Sequence, residues 1–348
     1  MSAKRVVIRL PLIAARLLFC FVIWTAVTSA PVATQERRGH LKLVFTSTQH
    51  AACPTDPGAA CDIIGTDGEL YVMDRKGADQ TRITFDDVVQ FGAQFSPDGT
   101  QIAYHSRFPP VGPGLAQIFL MSANGTTQLT GTEPLTDTGG GAQFADWTPD
   151  GKRIVFQTTP LRNGTFTYRD IFVINADGTG LTNLTHNSTY VDARPAWSPD
   201  GTRIAFQSNR DGNDEIYVMN ADGSNPVRLT SDGHSNGVPD WSPDGRIVFA
   251  SDRDGNFEIW VMNADGTGLT QLTHTEGCVR NLDPAWSPDG SLIAFNSDRD
   301  FPTDDCNQLE RGIQQVWVMR ADGRQQVALT TLPGESGSAA WGWTKDPE

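Results

Sequence analysis

The feature that most constrains the fold is an internal repeat with a period of about 45–55 residues. An aromatic residue followed by Ser/Thr-Pro-Asp-Gly occurs five times, and successive aromatic residues are separated by 52, 50, 44 and 45 residues. A further 55 residues lead to Trp341, which lies in Ala-Ala-Trp-Gly-Trp. The five aromatic residues of the motif are Phe95, Trp147, Trp197, Trp241 and Trp286. A repeat of this length indicates a propeller or a solenoid.

Each unit contains three more short apolar runs, which are clearest between Arg194 and Thr230. There they occupy residues 204–208, 216–219 and 227–230. They are rich in β-branched and aromatic residues and are bounded by turn residues, which predicts β-strands. In Ser-Pro-Asp-Gly the proline has the φ of a type I turn, and the glycine accepts a left-handed conformation.

Six such units predict an all-β fold, a six-bladed β-propeller with four antiparallel strands in each blade. The first unit lacks its innermost strand, because no motif strand precedes Leu41. An unassigned strand at residues 339–343 follows the last unit. The C-terminal strand is therefore predicted to complete blade 1 as its innermost strand and to close the ring, which leaves no free sheet edge. The propeller would span residues 41–344, with a tail at 345–348.

The most regular blade contains Trp197-Ser-Pro-Asp-Gly201 and Ile216-Tyr-Val-Met-Asn-Ala-Asp-Gly223, joined by Ser208-Asn-Arg-Asp-Gly212. This pattern resembles the Pro-Asp-Gly variant of the WD repeat in the propeller domain of TolB, the periplasmic protein of the Tol–Pal system. The resemblance covers residues 41 to about 344. It implies a non-enzymatic scaffold that binds a protein or a cell-envelope component. TolB carries an α/β domain before its propeller, whereas only residues 31–40 separate the leader from the first strand here.

Similar propellers form some pectin-degrading lyases. The alternative function is therefore a carbohydrate-active enzyme, a lyase or a hydrolase, with its site at the channel mouth. No nucleophile motif supports an enzyme: Gly334-Glu-Ser-Gly337 does not fit Gly-x-Ser-x-Gly. We expect neither catalytic residues nor a cofactor nor a bound metal.

The N-terminus predicts export. Basic residues, including Lys4 and Arg16, precede an apolar run at 17–27 and the small residues at 28–30. This is the pattern of a secretory signal peptide over residues 1–30, followed by a linker at 31–40. The alternative is an uncleaved anchor, because the apolar run extends to residue 33 and approaches the shortest membrane spans of about 17 residues. The predicted location is the periplasm or the medium, with membrane contact only through an uncleaved N-terminal segment.

The net charge is −14, and removal of residues 1–30 leaves 23 basic against 41 acidic side chains, or −18. Such a surface repels phosphate backbones, so nucleic acid is not an expected partner. We expect a monomer that binds a protein or an envelope component.

The two faces of the propeller differ in sequence. The Pro-Asp-Gly and Ala-Asp-Gly turns form one face, here called the uniform face. The loops between second and third strands and the crossovers between blades form the other, here called the variable face. Long loops on a rigid scaffold commonly carry binding residues. The long loops, at 48–68, 107–116 and 298–312, belong to blades 1, 2 and 6. The predicted binding residues in these loops are Phe108, Pro109, Phe301, Asp304 and Asp305; the alternative is that their apolar members pack onto the propeller.

Four cysteines follow the leader, all on the variable face, and an even number in an exported chain predicts disulfides. We expect Cys53–Cys61 and Cys278–Cys306, each within or beside one loop. A pairing between blades 1 and 6 and free thiols are the alternatives.

Two sets of repeated polar residues have competing interpretations. His186, His234 and His274 lie in crossovers and are interpreted as solvated, with metal binding as the alternative. Arg210, Arg253 and Arg299 each precede an aspartate and are expected to pair locally rather than to contact a ligand.

Overall fold

The computed structural model describes residues 39–48, 68–85, 88–107, 115–125, 127–130, 133–162, 165–166, 168–186, 189–300, 313–331 and 336–344. Every regular element in these ranges is a β-strand. None of the described segments is a helix long and apolar enough to cross a bilayer. The strands form six antiparallel sheets, the six predicted blades.

The strands follow the chain from blade to blade. Blade 1 contains β1 (His40–Ser47), β2 (Glu69–Asp74) and β3 (Thr81–Arg82). Blade 2 contains β4 (Gln90–Phe95), β5 (Gln101–Ser106) and β6 (Gln117–Ser122). Blade 3 contains β7 (Gly140–Trp147), β8 (Arg153–Arg162), β9 (Thr165–Phe166), β10 (Asp170–Asn175) and β11 (Thr182–Asn183).

The second half of the ring is more regular. Blade 4 contains β12 (Asp192–Trp197), β13 (Arg203–Ser208), β14 (Glu215–Asn220) and β15 (Val227–Arg228). Blade 5 contains β16 (Asn236–Trp241), β17 (Arg246–Ser251), β18 (Glu258–Asn263) and β19 (Thr270–Gln271). Blade 6 contains β20 (Asn281–Trp286), β21 (Leu292–Ser297), β22 (Gln315–Arg320) and β23 (Val327–Ala328), and the last strand is β24 (Ser336–Thr344).

The predicted closure of the ring is confirmed. β24 pairs with β1, so blade 1 has the strand order β24-β1-β2-β3. The register places Leu43 opposite Trp341 and His40 opposite Thr344. The two ends of the described ring therefore share one sheet, as the missing first strand and the unassigned last strand indicated.

The turns on the uniform face are stabilised by their own side chains. In blade 4, Asp200 Oδ1 accepts hydrogen bonds from the Ser198 hydroxyl at 2.5 Å and from the Thr202 amide at 3.0 Å. Gly201 completes the turn with a φ of 69°. Asp98, Asp150 and Asp289 make the same contacts in other blades. The Asp-Gly pattern is thus explained by turn chemistry.

The hydrophobic core lies between the blades. Six clusters of buried residues are present, and each combines side chains from two neighbouring blades. Between blades 3 and 4, for example, Val155 and Ile171 pack with Trp197 and Phe206. Both Ile171 and Phe206 are fully buried. Each blade is therefore stabilised by its two neighbours, which explains why the tryptophans of the motif belong to the inter-blade core.

Blade 2 differs from its prediction at the outer edge. Instead of a fourth strand, it has an isolated bridge between Met121 and Gln128. In the other blades a threonine hydroxyl accepts the amide of the third strand, as Thr230 does for Ile216 at 2.9 Å. In blade 2 this acceptor is Thr136, which binds the Ile118 amide at 3.1 Å. A second Leu-Thr pair, residues 129–130, contacts the same strand, because the Thr130 hydroxyl accepts the Leu120 amide at 3.3 Å. The third strand of blade 2 is therefore bonded to two Leu-Thr pairs.

Candidate functional site

The innermost strands of the six blades line a central channel. β4, β7, β12, β16, β20 and β24 each contribute three consecutive residues to a cavity of about 90 Å³. The lining positions are 92–94, 144–146, 194–196, 238–240, 283–285 and 338–340. Since the same three positions recur in every blade, the scaffold determines the channel and the side chains determine its chemistry.

The first of the three lining residues has a left-handed backbone in every blade. At this point the ladder between the first and second strands shifts register, which is a β-bulge. A left-handed backbone is costly for residues other than glycine, most of all for a β-branched or bulky one. The six bulge residues have φ between 48° and 57°, and they are Gly92, Phe144, Arg194, Val238, Asp283 and Ser338. Strained backbone is found preferentially at functional sites, so the bulges mark the channel as the candidate site.

The bulges of three blades are held by the preceding blade. In each case the bulge amide donates to a side chain at one fixed position of the neighbouring second strand. The pairs are Phe144 to His105 Nδ1 at 3.5 Å, Arg194 to Gln157 Oε1 at 3.0 Å, and Val238 to Gln207 Oε1 at 3.3 Å. These contacts join the strained backbone to the blade interfaces.

His105 is a buried, neutral member of this set. Burial, together with the positive charges of Arg194 and Arg107, lowers its pKa to about 3. Its ring lies between Phe91 and Phe144, with centroid distances of 5.9 and 4.9 Å. Because the imidazole is uncharged at neutral pH, it can accept the Phe144 amide and pack against both rings.

Arg194 extends across the channel from blade 4 to blade 6. Its guanidinium carbon lies 3.5 Å from the centre of the Phe144 ring, a cation–π contact. Its Nη1 donates to Asp283 Oδ1 at 3.1 Å. The other carboxylate oxygen of Asp283 accepts a hydrogen bond from Asn296 at 2.9 Å. Arg194 and Asp283 therefore bridge the channel near its variable-face end, and Phe144 supports the bridge from a third blade.

Two carboxyl groups lie deeper in the channel. Asp146 accepts the Trp197 amide at 2.7 Å, and Asp240 accepts the Trp286 amide at 2.6 Å. Both are half-buried, because each carboxyl touches the small channel cavity and is otherwise enclosed. Burial raises the pKa of each to about 7, and the charge of Asp146 contributes to the shift at Asp240. At neutral pH each of these two carboxyl groups is therefore partly protonated.

The family of the chain can be assigned by comparison with known proteins. The model of the TolB beta propeller domain matches residues 129–248 and 232–303, together half of the chain. The chain belongs to the TolB β-propeller family. The ring of blades, the Pro-Asp-Gly turns and the closure by β24 are all consistent with this assignment.

Several solved structures share the TolB-family fold. TolB from Acinetobacter baumannii is 20% identical with a TM-score of 0.65, and the alignment covers 88% of this chain and 67% of that chain. A putative TolB from Agrobacterium tumefaciens is 19% identical with a TM-score of 0.62, and the alignment covers 89% of this chain and 99% of that chain.

A relative is also found by sequence. An uncharacterized protein of Agrobacterium fabrum is 29% identical over 53% of this chain, and the match spans only 59% of that relative's length.

The predicted binding residues of this TolB-family propeller are not tested. Phe108, Pro109, Phe301, Asp304 and Asp305 lie outside the described residues. The same holds for Cys53, Cys61 and Cys306, and for the leader at residues 1–30. Cys278 is described and takes part in a disulfide bond. Its pairing stays a prediction.

The repeated arginines pair locally, as expected. Arg253 donates to the Ser251 hydroxyl at 3.0 Å and to Asn236 at 2.8 Å, and it stacks on Trp260 at 4.5 Å. Arg210 and Arg299 make equivalent contacts in blades 4 and 6. These side chains stabilise the variable-face ends of blades 4, 5 and 6.

The crossover histidines do not converge. His234 lies 3.6 Å from Asp252, and it is half exposed. Within the described ranges, no group of three or more histidine, cysteine or acidic side chains is placed to hold a metal ion.

The channel residues were not identified from the sequence. Their signal is present, however, at fixed offsets from the aromatic residue of the motif. Three positions before it stand Gly92, Phe144, Arg194, Val238, Asp283 and Ser338, and one position before it stand Asp146 and Asp240 among neutral residues. Variation at one position of an otherwise uniform repeat would have indicated the site.

Proposed function

We propose that the chain is an exported, non-enzymatic propeller that binds a protein or a cell-envelope component through its variable face. The observation that carries this proposal is the small volume of the channel. Arg194 and Asp283 bridge its variable-face end above a cavity of about 90 Å³. Sites for small molecules usually enclose about 300–1,000 Å³. A channel this small favours recognition at the surface over enclosure of a substrate.

The carbohydrate-active alternative would depend on Asp146 and Asp240, the two channel carboxyls with a pKa near 7. Each of them accepts a backbone amide of the next blade, so each already has a structural role. The cavity between them is smaller than a sugar-binding cleft. The binding scaffold is therefore the stronger proposal.

The cysteines of the variable face fit the same proposal. We expect Cys53–Cys61 and Cys278–Cys306 to brace loops that have little strand support. Peptide mapping under non-reducing conditions tests the pairing. Cross-blade linkage of Cys53 or Cys61 to Cys278 would contradict it.

The binding role is tested with the full chain expressed in its own envelope. Chemical cross-linking, followed by mass spectrometry, is compared between the wild type and a variant in which residues 301–312 are replaced by the short blade 4 hairpin at 209–213. Arg324→Glu on the uniform face is the control. The expected result is a cross-linked partner that is lost in the loop variant and kept in the control. A cross-link pattern that is the same in all three proteins contradicts binding through the variable face.

Export is tested separately by fusing residues 1–40 to alkaline phosphatase, which is active only after export. An inactive fusion would contradict it.

A further inference from the structure

Three arginines gather at the variable-face end of the channel on consecutive blades. Arg107 directly follows β5 of blade 2, and Arg169 directly precedes β10 of blade 3. Arg194 occupies the bulge of blade 4. Their charges act on common neighbours: burial and then the charges of Arg194 and Arg107 lower the pKa of His105, and burial and then the charge of Arg194 lower the pKa of Arg169. The three guanidinium groups therefore form one local field.

This basic cluster stands out against the charge of the whole chain, which is −14. Like charges repel each other, so their convergence is a cost to folding. Asp283 pairs with Arg194 at 3.1 Å, and the charge of Asp214 acts on Arg169. Arg107 and Arg169 are exposed. Exposed guanidinium groups that share one field are suited to bind an acidic ligand.

Arg194 is prepared for such a ligand. Phe144 supports the face of its guanidinium, and Asp283 engages only Nη1. Within the described residues, Nε and Nη2 donate no further hydrogen bond, and 29% of the side chain is exposed. A fixed guanidinium with a free edge matches the two oxygens of a carboxylate.

The arginines are accompanied by an apolar surface. Phe91 is 41% exposed and stacks on His105, so it forms a rigid aromatic wall beside the basic cluster. Aromatic residues next to arginines are typical of the central residues of protein interfaces. A small anion would contact only the arginines, whereas a peptide would contact both the arginines and Phe91.

We propose that Arg107, Arg169, Arg194 and Phe91 form the docking surface for an acidic peptide segment of a partner protein, at the mouth of the channel on the variable face. This inference rests on the proposed binding function and specifies the chemistry of the partner. Carboxylates of the segment pair with the arginines, and an apolar side chain of the segment packs on Phe91.

The two acidic side chains deeper in the channel make the affinity of this surface for an acidic peptide depend on pH. Asp146 and Asp240 oppose an acidic ligand when they are ionised, and both take up protons near neutral pH. Asp283 remains paired with Arg194, and His105 remains neutral. Binding of an acidic peptide should therefore strengthen as the pH falls from about 8 to about 6.

The test measures fluorescence anisotropy of the full chain with three labelled probes: a peptide of alternating glutamate and phenylalanine, the same peptide with lysine, and an oligogalacturonate. Only the glutamate peptide is expected to bind, and its affinity should fall as NaCl rises from about 20 to about 200 mM. Arg107→Glu with Arg169→Glu should weaken binding about tenfold or more. Arg324→Glu, which makes one such charge reversal at an exposed site on the uniform face, should change it less than about twofold.

Three results would overturn the inference: equal binding of the lysine peptide, binding of oligogalacturonate without the glutamate peptide, or equal loss in Arg324→Glu. Thermal melts of all variants show whether a loss of binding is a loss of folding. If a variant unfolds, Phe91→Ser is used instead. It removes a ring that is 41% exposed and stacks on His105, so its thermal melt is compared as well, and it should weaken the glutamate peptide several-fold.

The two proposals fail in different ways. If cross-linking identifies a variable-face partner whose binding is unchanged in Arg107→Glu with Arg169→Glu, the binding function stands and the acidic docking surface is wrong. If no partner depends on the variable face, the binding function itself is wrong.

Discussion

Arg194 and Asp283 are separated by 89 residues in the chain, and their side chains meet at 3.1 Å across the channel. The contact joins blade 4 to blade 6 without involving the hydrophobic core. Both residues occupy the left-handed bulge of their own strand, with φ of 52° and 48°. The left-handed bulge therefore places a positive charge on one side of the channel and a negative charge on the other.

Asp283→Asn tests the contribution of this pair to stability. Asparagine tolerates a left-handed backbone, so the substitution removes charge without adding strain. Since both side chains are about one-quarter exposed, we expect the free energy of unfolding to fall by about 1 kcal/mol. Denaturant unfolding measures it. Asp322→Asn is the control, because Asp322 lies 3.9 Å from an exposed Arg324 and should change stability by less than about 0.5 kcal/mol.

The cost of the left-handed bulge is tested at Val238. At a φ of 55° a β-branched residue is strained, and glycine is not. Val238→Gly should therefore lower the free energy of unfolding by less than about 1 kcal/mol, because relief of strain offsets the loss of the side chain. Val248→Gly, at a fully buried position of a regular strand, should cost about 3 kcal/mol or more. Similar losses in the two variants would show that the bulge carries no strain.

The reverse substitution, Gly92→Val, should be strongly destabilising. A Cβ at position 92 would lie 2.8 and 2.9 Å from two atoms of the His105 ring, at a φ of 57°. The His105 ring is held between Phe91 and Phe144, so it cannot move away. We expect a loss of about 2–3 kcal/mol in the same unfolding assay.

The channel carboxyls predict how stability depends on pH. Asp240 has a pKa of about 7 in the folded protein, above the value of about 4 in an unfolded chain. Between these values the folded state binds more protons, so this group stabilises the fold at acidic pH and loses that contribution as pH rises through 7. We expect the free energy of unfolding to fall by a few kcal/mol, about 2–4, between pH 5 and 8 from Asp146 and Asp240 together.

Asp240→Asn should flatten this dependence, since asparagine can still accept the Trp286 amide and does not titrate. His105 acts in the opposite direction, because its pKa of about 3 in the fold destabilises the protein as pH falls below about 6.5. His105→Gln, the residue found at this position in blades 3 and 4, should remove that loss at low pH. Urea unfolding from pH 5 to 8 separates the two effects, and parallel curves for wild type and Asp240→Asn would refute the assignment.

Deletion of residues 336–348 tests the closure of the ring. Trp341 is 6% exposed and packs with Leu43 and Val318, so the deletion opens the core between blades 6 and 1 and leaves β1 as a free edge. We expect loss of the cooperative thermal transition and aggregation. Deletion of 345–348 alone keeps β24 whole and should leave the melting temperature unchanged. A native melt for the longer deletion would contradict the closure.

The sequence predicted the ring well because turn and strand signals repeat. Trp197 and its equivalents locate each first strand, and the lack of one before Leu41 located β24. The outer edge of blade 2 was less predictable, since it has two Leu-Thr pairs and both contact the third strand, Thr136 at Ile118 and Thr130 at Leu120. The contact of Arg194 with Asp283 depends on the diameter of the channel, and the pKa of Asp240 depends on its enclosure. Neither the diameter of the channel nor the enclosure of Asp240 can be read from a short stretch of sequence.

The six bulges have one further consequence. Each holds the same backbone, yet the residues are glycine, phenylalanine, arginine, valine, aspartate and serine. The frame of the ring therefore does not dictate what surrounds its axis. Except at Gly92, where a Cβ would meet the His105 ring, a substitution at one bulge could change the lining of the channel while the propeller around it stayed the same.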